Sequence, residues 1–526
     1  MPADLPLIVG LLIAAIALAI IAKHLQVAYS VALVVGGMLL AVMKVLPGAP
    51  QMDPEIVLWI CLPLLLFEGG IAADVTAIRQ NWPLISILAT VGLFLSIAVT
   101  GGSVHAALGV GWGPALLLAS TVSATDTVSV LFAFRKAAIP ARLSAVVKGE
   151  SLFNDGTALV AYGALLAVVM GGSFSAGAVA GRLVLVSVGG LAIGLGLGLA
   201  GAFLIRRMQD PLAEIMATTA LAFAAFTAAH SVDVSGPVAA VTAGLAVGAA
   251  LRKGISPQSR HSLSAFWEYV AFGVNTFLFM SVGLSTSPDS LWAHLPQTLI
   301  AMGCVVAGRA VGIYLPFFVL RHVRPTHAMP LRWQHVFIVG NIKGALSIAL
   351  VLGLPAAVPE RELLVHTAFG VTFLSLVVQG AGLAKALSWL GLTRADPLAG
   401  TVGDQRAQLI SARAAQAELE SLHATGMISR DGYDRLRAEY QVQIAAAERE
   451  VRRLHEQNLA QGARLLLSTR RRLLDAERNA VVQARGEGLV PDESAERVLQ
   501  RIDERLLAVD ALLSDEGADG KDRRGA

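Results

Sequence analysis

The sequence is short of charge, of aromatic rings and of cysteine. Charged residues make up 15% of its 526 positions and aromatic ones 6%, against 55% hydrophobic residues. A soluble domain carries roughly a quarter charged residues, so this composition excludes a soluble globular chain and points to a polytopic membrane protein. The two cysteines, Cys61 and Cys304, both fall inside apolar runs. That excludes a disulfide framework or a cysteine-built zinc site. A net charge of +3 gives no reason to expect a nucleic-acid partner. HExxH, GxSxG and paired histidines with a carboxylate at metal spacing are all missing, so neither an enzyme nor a bound cofactor is expected.

What charge there is lies unevenly. Residues 1–395 are apolar with isolated charges, and residues 396–526 are charge-dense. A membrane domain followed by a soluble tail is therefore expected. Apolar runs long enough to cross about 30 Å of hydrocarbon appear near 6–22, 28–46, 54–72, 82–101, 113–134, 145–171, 178–205, 211–230, 236–251, 263–286, 296–320, 333–355 and 362–392. The fold expected is an all-α polytopic protein of about 13 spans. Leu7 to Ala22, preceded by Asp4 and no basic residue, reads as a retained first helix rather than a cleaved signal.

Lysine and arginine concentrate in alternate loops: Lys23; Arg79; Arg135, Lys136, Arg142 and Lys148; Arg206 and Arg207; Arg252, Lys253 and Arg260; Arg321, Arg324 and Arg332. The intervening loops hold little beyond Lys44, Arg182 and Arg361. Basic loops stay cytoplasmic, which puts the N-terminus outside and the tail inside. In the tail, apolar residues at helical spacing with opposite charges between them predict helices over Ala407 to Thr425, Asp431 to Ala460, Arg464 to Arg485 and Ala495 to Leu513. Asp515 to Ala526 reads as disordered.

Two spans are interrupted. Span 5 contains SATDTVSV and span 12 contains VGNIKGALS, each with polar and charged groups at mid-membrane depth. Such backbone is tolerated only where it is buried in protein or lines a cavity, and paired broken helices point to a central site. An inverted repeat relating spans 4–6 to 11–13 is expected, although residue-level similarity is not visible.

The densest polar cluster is KGESLFNDGT, residues 148–157. Ser151 and Asp155 are four apart and share one helix face; Glu150 and Asn154 share the next. A carboxylate at bilayer depth is rare without a function. Hydroxyl and carboxylate together suit a hard cation, which takes oxygen ligands. With Glu68 in LLLFEGG and Thr125 and Asp126 at the break in span 5, the expected cage is Glu68, Thr125, Ser151 and Asp155, with Asp126 beside it. A buried carboxylate takes a proton or a cation but not readily both. That competition suffices for exchange, and the chain has no ATP-binding motif. Arg309 lies mid-span and is expected to pair with a carboxylate.

Six stretches carry a resemblance: LPLLLFEGGI at 62–71, SATDTVSV at 123–130, GESLFNDGTALV at 149–160, FWEYVAFGVNTFLFMSVGL at 266–284, GRAVGIY at 308–314 and NIKGALSIAL at 341–350. In this order they resemble the sodium/proton exchanger branch, of NhaP and NHE type, of the monovalent cation:proton antiporter family, over about residues 1–395. The resemblance implies inverted repeats, two crossed broken helices and a homodimer in the cell (inner) membrane. It implies secondary exchange of an alkali cation (sodium, lithium or potassium) for protons, in the service of pH homeostasis. Asp155 resembles the family's carrier of cation and proton. Asn154 marks the branch that moves one proton per cation. Ser151, Glu68 and the Thr125 carbonyl match cation ligands, and Asp126 matches the acidic residue at the helix crossing. Glu150 matches a glutamate paired with a basic residue on span 12. That residue is usually arginine; here it is Lys343, which lacks the bidentate fork and can lose its proton. A Glu150–Lys343 tether is the expectation. A tail-gated cation channel or ion sensor is the alternative reading, and a channel would pass current along the cation gradient instead of coupling it to protons.

Overall fold

The computed structural model describes residues 5–25, 28–43, 54–126, 130–131, 133–134, 137, 139–171, 176–208, 210–251, 256–323, 329–392, 397–425, 427–456 and, with gaps, 466–509. Lys44, Thr127 to Ser129, Arg135, Lys136, Arg252, Lys253, Arg324, Gly426 and the stretch 510–526 lie outside the described residues. The chain divides into two compact units, Met1–Arg394 and Ala395–Ala526.

The first unit is entirely helical among its described regular elements. Its helices are α1 (Leu5–Leu25), α2 (Tyr29–Val42), α3 (Pro54–Ala72), α4 (Val75–Leu108), α5 (Trp112–Thr121), α6 (Ala141–Val169), α7 (Ala176–Met208) and α8 (Pro211–Ser231). They continue with α9 (Gly236–Leu251), α10 (Pro257–Ser285), the short α11 (Pro288–Ala293), α12 (Leu295–Val323), α13 (Leu331–Val339), α14 (Ala345–Leu352) and α15 (Arg361–Trp389). Among the described residues, eight of these (α3, α4, α6, α7, α8, α10, α12 and α15) are long and apolar enough to cross a bilayer. Apolar segments of α1, α2 and α9 are shorter. Spans 5 and 12 do not form long helices, because the polar stretches at 122–126 and 340–344 leave the helical path. Span 4 exceeds its expected length: α4 runs 34 residues.

Local chemistry sets the ends. Asp74 caps α4, its Oδ1 accepting from the Thr76 and Ala77 N–H groups at 2.9 and 3.3 Å. Asp210 and Ser256 cap α8 and α10, each followed by a proline at the first helical position, where the missing N–H costs nothing. Gly109, at φ +69°, closes α4 in the left-handed conformation that glycine adopts without strain. Three helices contain a wider π-helical turn: Val57–Cys61 in α3, Leu88–Gly92 in α4 and Ser375–Gln379 in α15.

Packing sorts the helices. One set, α4, α5, α6, α12, α14 and α15, surrounds the polar stretches; α3, α7, α8 and α9 form another, and α2 packs on α10. In lipid the helices gain by close van der Waals approach, which small residues permit. Gly308 of α12 meets α4 so closely that a Cβ there would stand 2.7 Å from the Ser96 carbonyl. Thr100 Oγ1 donates to the Cys304 carbonyl across this crossing at 3.4 Å.

The second unit contains α16 (Pro397–Ala424) and α17 (Arg430–Glu456), which pack as a helical hairpin burying Ala412, Leu419 and Ala447. The first helix starts ten residues before the expected Ala407. Leu474, Ile502 and Val509 form a second small core, flanked by Arg478–Asp503 and Arg505–Glu477 ion pairs at 2.8 and 3.3 Å.

Candidate ion-exchange site

The site is built on α6 and the two stretches that leave the helical path. α6 continues through Glu150, Ser151, Asn154 and Asp155 without a break, and its 3.6-residue period turns Ser151, Asn154 and Asp155 toward one neighbour. That neighbour is Thr125, two residues from the bend that follows α5. Thr125 engages α6 with all three of its polar groups. Its carbonyl accepts from Ser151 Oγ at 2.9 Å. Its Oγ1 accepts from Asn154 Nδ2 at 3.3 Å. Its backbone N–H donates to the Asp155 carboxylate. Ser151, Asn154 and Thr125 are buried, and Asp155 is half-buried.

The second stretch, 340–344, meets the first directly. The Asp126 N–H donates to the Ile342 carbonyl at 2.7 Å. A Cβ on Gly344 would lie 3.2 Å from Asp126 Cβ. One donor and one acceptor freed by the unwinding thus satisfy each other, as buried backbone must. Thr125, Asp126, Glu150, Ser151 and Arg309 share the lining of one cleft with Val147, Phe337 and Gly340.

Glu150 was expected against Lys343, and the structure corrects this. Arg309 of α12 takes both oxygens of Glu150, NH1 to Oε1 at 2.8 Å and NH2 to Oε2 at 3.2 Å. Its Nε donates to the Phe337 carbonyl at 3.3 Å. The planar fork of arginine fits a carboxylate in a way an ammonium does not, so arginine wins the contact. Lys343 Nζ instead donates to Asn341 Oδ1 at 2.7 Å. Asn154 Nδ2 also reaches Glu150 Oε1, at 3.3 Å.

Glu68 has different charged neighbours from Asp155. The charged groups acting on it are Glu268 and Lys148, whereas those acting on Asp155 are Asp126, Glu150 and Lys343. Its helix does touch α6 nearby: a Cβ on Gly69 would lie 2.8 Å from Leu152 Cδ1. The structure links Thr125, Asp126, Glu150, Ser151, Asn154, Asp155, Lys343 and Arg309 by hydrogen bonds and charge, while the charges acting on Glu68 are those of Glu268 and Lys148. Among the described residues no cluster of three or more histidine, cysteine or carboxylate groups could hold a metal ion. Hydroxyl and carbonyl oxygens, which suit a weakly held alkali ion, are what the site offers beside Asp155.

Three contributors were not singled out as site residues from the sequence. Asn341 holds the Lys343 ammonium. Ser375, in the π-helical turn of α15, accepts the Lys343 N–H at 2.9 Å. Tyr162 of α6 donates to the Leu350 carbonyl of α14 at 3.0 Å. Only the polarity of VGNIKGALS hinted at the first.

Comparison with known proteins gives the family. A family model described as sodium/hydrogen exchanger, transmembrane, matches residues 11–389. The Na(+)/H(+) antiporter NhaS2 of Synechocystis sp. is 36% identical over 506 residues, 95% of this chain and 92% of that protein. The low-affinity Na(+)/H(+) antiporter NhaS1 of the same organism is 32% identical over 401 residues, 75% of this chain and 76% of that protein. The fold is similar to that of the sodium proton antiporter MjNhaP1 from Methanocaldococcus jannaschii, with a TM-score of 0.61 at 18% identity, covering 73% of this chain and 99% of that one. A polytopic helical membrane protein with these matches belongs to the sodium/hydrogen exchanger family.

Proposed function

We propose that the first unit exchanges an alkali cation for a proton by competition of the two at Asp155, with the site open to one side of the membrane at a time. The activity itself is secondary-active antiport, a transporter's function and not an enzyme's. The observation that carries the site assignment is the knot of Thr125 with Ser151, Asn154 and Asp155. It leaves a half-buried carboxylate next to hydroxyl and carbonyl oxygens in an otherwise apolar helix bundle. A cation arriving there is held by Asp155, Ser151 Oγ and the second lone pair of the Thr125 carbonyl, with Asp126 adding negative charge nearby. Glu68 acts as a ligand only if α3 and α6 shift relative to one another, and otherwise guides cations along the path. Asn154 ties Thr125 to Glu150, and the Glu150–Arg309 pair is a structural ion pair.

In this reading α5 with the segment after it, and α13 with α14, are two broken helices that cross at the Asp126–Ile342 contact. Counted with the eight long apolar helices and the three shorter ones among the described residues, they would make 13 spans. The alternation of basic loops then places the N-terminus outside and the second unit in the cytoplasm, as a helical regulatory or dimerisation tail of a homodimer. Exchange is electroneutral if Lys343 holds its charge throughout the cycle.

Reconstitution tests the assignment. Proteoliposomes holding the full chain and an imposed pH gradient should lose the gradient on addition of sodium, lithium or potassium salt, with no need for a membrane potential. Asp155→Asn should abolish that response while leaving the protein folded. Retained exchange in that variant removes Asp155 as the carrier, and a current following the cation gradient alone supports the channel alternative.

A further inference from the structure

The short helix α11 connects α10 to α12, and so joins a helix packed on α2 to one of the set around the polar stretches. None of its residues is fully buried, and Leu291 packs only partly against the core. What fastens it is polar. Ser290 Oγ lies 2.7 Å from His366 Nδ1 on α15. The Ser290 carbonyl accepts from His294 Nδ1 at 3.0 Å. The two imidazoles stack, with centroids 4.5 Å apart and planes 14° from parallel. Ser290 thus holds both rings, one through its hydroxyl and one through its carbonyl, and both rings are half-buried.

Stacked imidazoles tolerate one charge but not two. Histidine takes up a proton in the range between about pH 5 and 8. A first proton leaves a cation over a neutral ring, with the Glu362 carboxylate, one turn earlier on α15, acting on His366. A second proton sets two like charges face to face, and they repel. The other elements packed on this part of α15 bring little charge to the pair. α5 and α14 contain none, and α11 brings Asp289. Arg309 of α12 is held by Glu150, and Arg260, His261 and Glu268 lie toward the far end of α10. Beside Glu362, the Arg361 guanidinium donates to the Leu354 and Leu352 carbonyls at 2.7 and 3.3 Å, and Glu360 Oε1 accepts from the Gly111 N–H at 3.4 Å.

The contact also sets a length. With Ser290 fastened to α15, the chain between α10 and the helices around the site is free only over 286–289. With it released, α11 joins the tether. Six helical residues add about 9 Å to its reach.

We propose that Ser290, His294 and His366 form a proton-released latch: it fastens the α10–α12 connection to α15 while at most one ring is charged, and acid on this face opens it by charging both. Residues 286–294 contain no lysine or arginine, and in the topology proposed above this is the outer face. Opening lengthens the tether between the two helix sets, so protons on this face ease the exchange motion as well as serving as its substrate. That effect on exchange rests on the antiport reading; the latch itself does not.

Amide hydrogen exchange over 286–294 of the full chain in detergent, corrected for the intrinsic rate at each pH, reads the latch without transport. Protection in the parent protein should fall about tenfold between about pH 7.5 and about pH 5. His294→Phe keeps a ring in the stack without a charge, and should hold its protection at both pH values. Ser290→Ala removes the hydroxyl and should be poorly protected at both. Protection in the parent that does not change with pH, the same change in His294→Phe, or full protection in Ser290→Ala overturns the proposal. In proteoliposomes at saturating sodium, His294→Phe should match the parent at an outer pH of about 7.5 and run severalfold slower at about 5.5. An equal ratio of the two rates at both pH values removes the latch from the exchange cycle. Absence of exchange in the parent itself, with the hydrogen-exchange pattern intact, removes the antiport reading and leaves the latch standing.

Discussion

Arg309 and Glu150, 159 residues apart in the chain, meet as a two-pronged ion pair at 2.8 and 3.2 Å with both side chains almost wholly buried. Removing one member of such a pair strands the other charge in a medium that cannot solvate it, at about 3–5 kcal/mol. Glu150→Gln or Arg309→Met alone should therefore lower thermal stability in detergent sharply. The double variant should recover more than half of the loss, because no charge is left stranded. Additive losses in the double variant would mean that the two residues do not act as a pair.

Ser151 tests the cation side of the site. Its Oγ bonds the Thr125 carbonyl at 2.9 Å, beside the half-buried Asp155. If it is also a ligand, Ser151→Ala should raise the sodium KM about tenfold, the equivalent of one modest hydrogen bond to a charged group. The maximal rate should change far less. An unchanged KM with a lower maximal rate would assign Ser151 to helix packing instead.

The crossing of α4 and α12 gives a prediction about stability alone. A side chain at Gly308 would meet Thr100 Oγ1 and, at 2.7 Å, the Ser96 carbonyl. Gly308→Val should cost about 1–3 kcal/mol by overpacking. Gly303, on the same helix, has nothing within 4 Å of a built Cβ. Gly303→Ala should stay within about 0.5 kcal/mol of the parent. Melting curves of the two variants in one detergent check the contrast, and similar losses would argue against this helix crossing.

In the second unit, Arg413 NH2 reaches Glu448 Oε1 at 2.6 Å, yet both side chains are well exposed. Solvent and salt screen such a pair, so Arg413→Ala should change stability by less than about 1 kcal/mol. Ile502→Ala, in the small core with Leu474 and Val509, should cost about 2–5 kcal/mol. Chemical denaturation of the full chain, followed by a probe placed in this unit, distinguishes the two.

The sequence made α6 legible because its signal is local: residues three and four apart on a helix must share a face. The breaks at Thr125 and Asn341 were legible for the same reason, since polar groups within an apolar run leave few alternatives. The owner of Glu150 was not. Two buried cations, Arg309 and Lys343, are available to it, and the choice depends on how closely α12 approaches the site, a matter of long-range packing. The length of α4 was also hidden. Asn81, which would mark a loop in an apolar scan, lies buried within the helix, donating to the Ala77 carbonyl at 2.9 Å and accepting from Arg142 Nε at 3.1 Å.

Thr125 binds α6 through its carbonyl, its hydroxyl and its N–H, and Asp126 binds the 340–344 stretch through its own N–H. These three pieces are therefore bonded to one another as a single cassette. Where α6 faces α3 and α9, the contacts are of another kind: Gly69 against Leu152, and Gly156 against Val238. At these two points the seam is apolar, while the Lys148 charge acting on Glu68 crosses it nearby. In the exchange cycle proposed above, a slip along this seam would change the exposure of the cargo site without dismantling it, because the seam runs beside the proposed ligands and not through them.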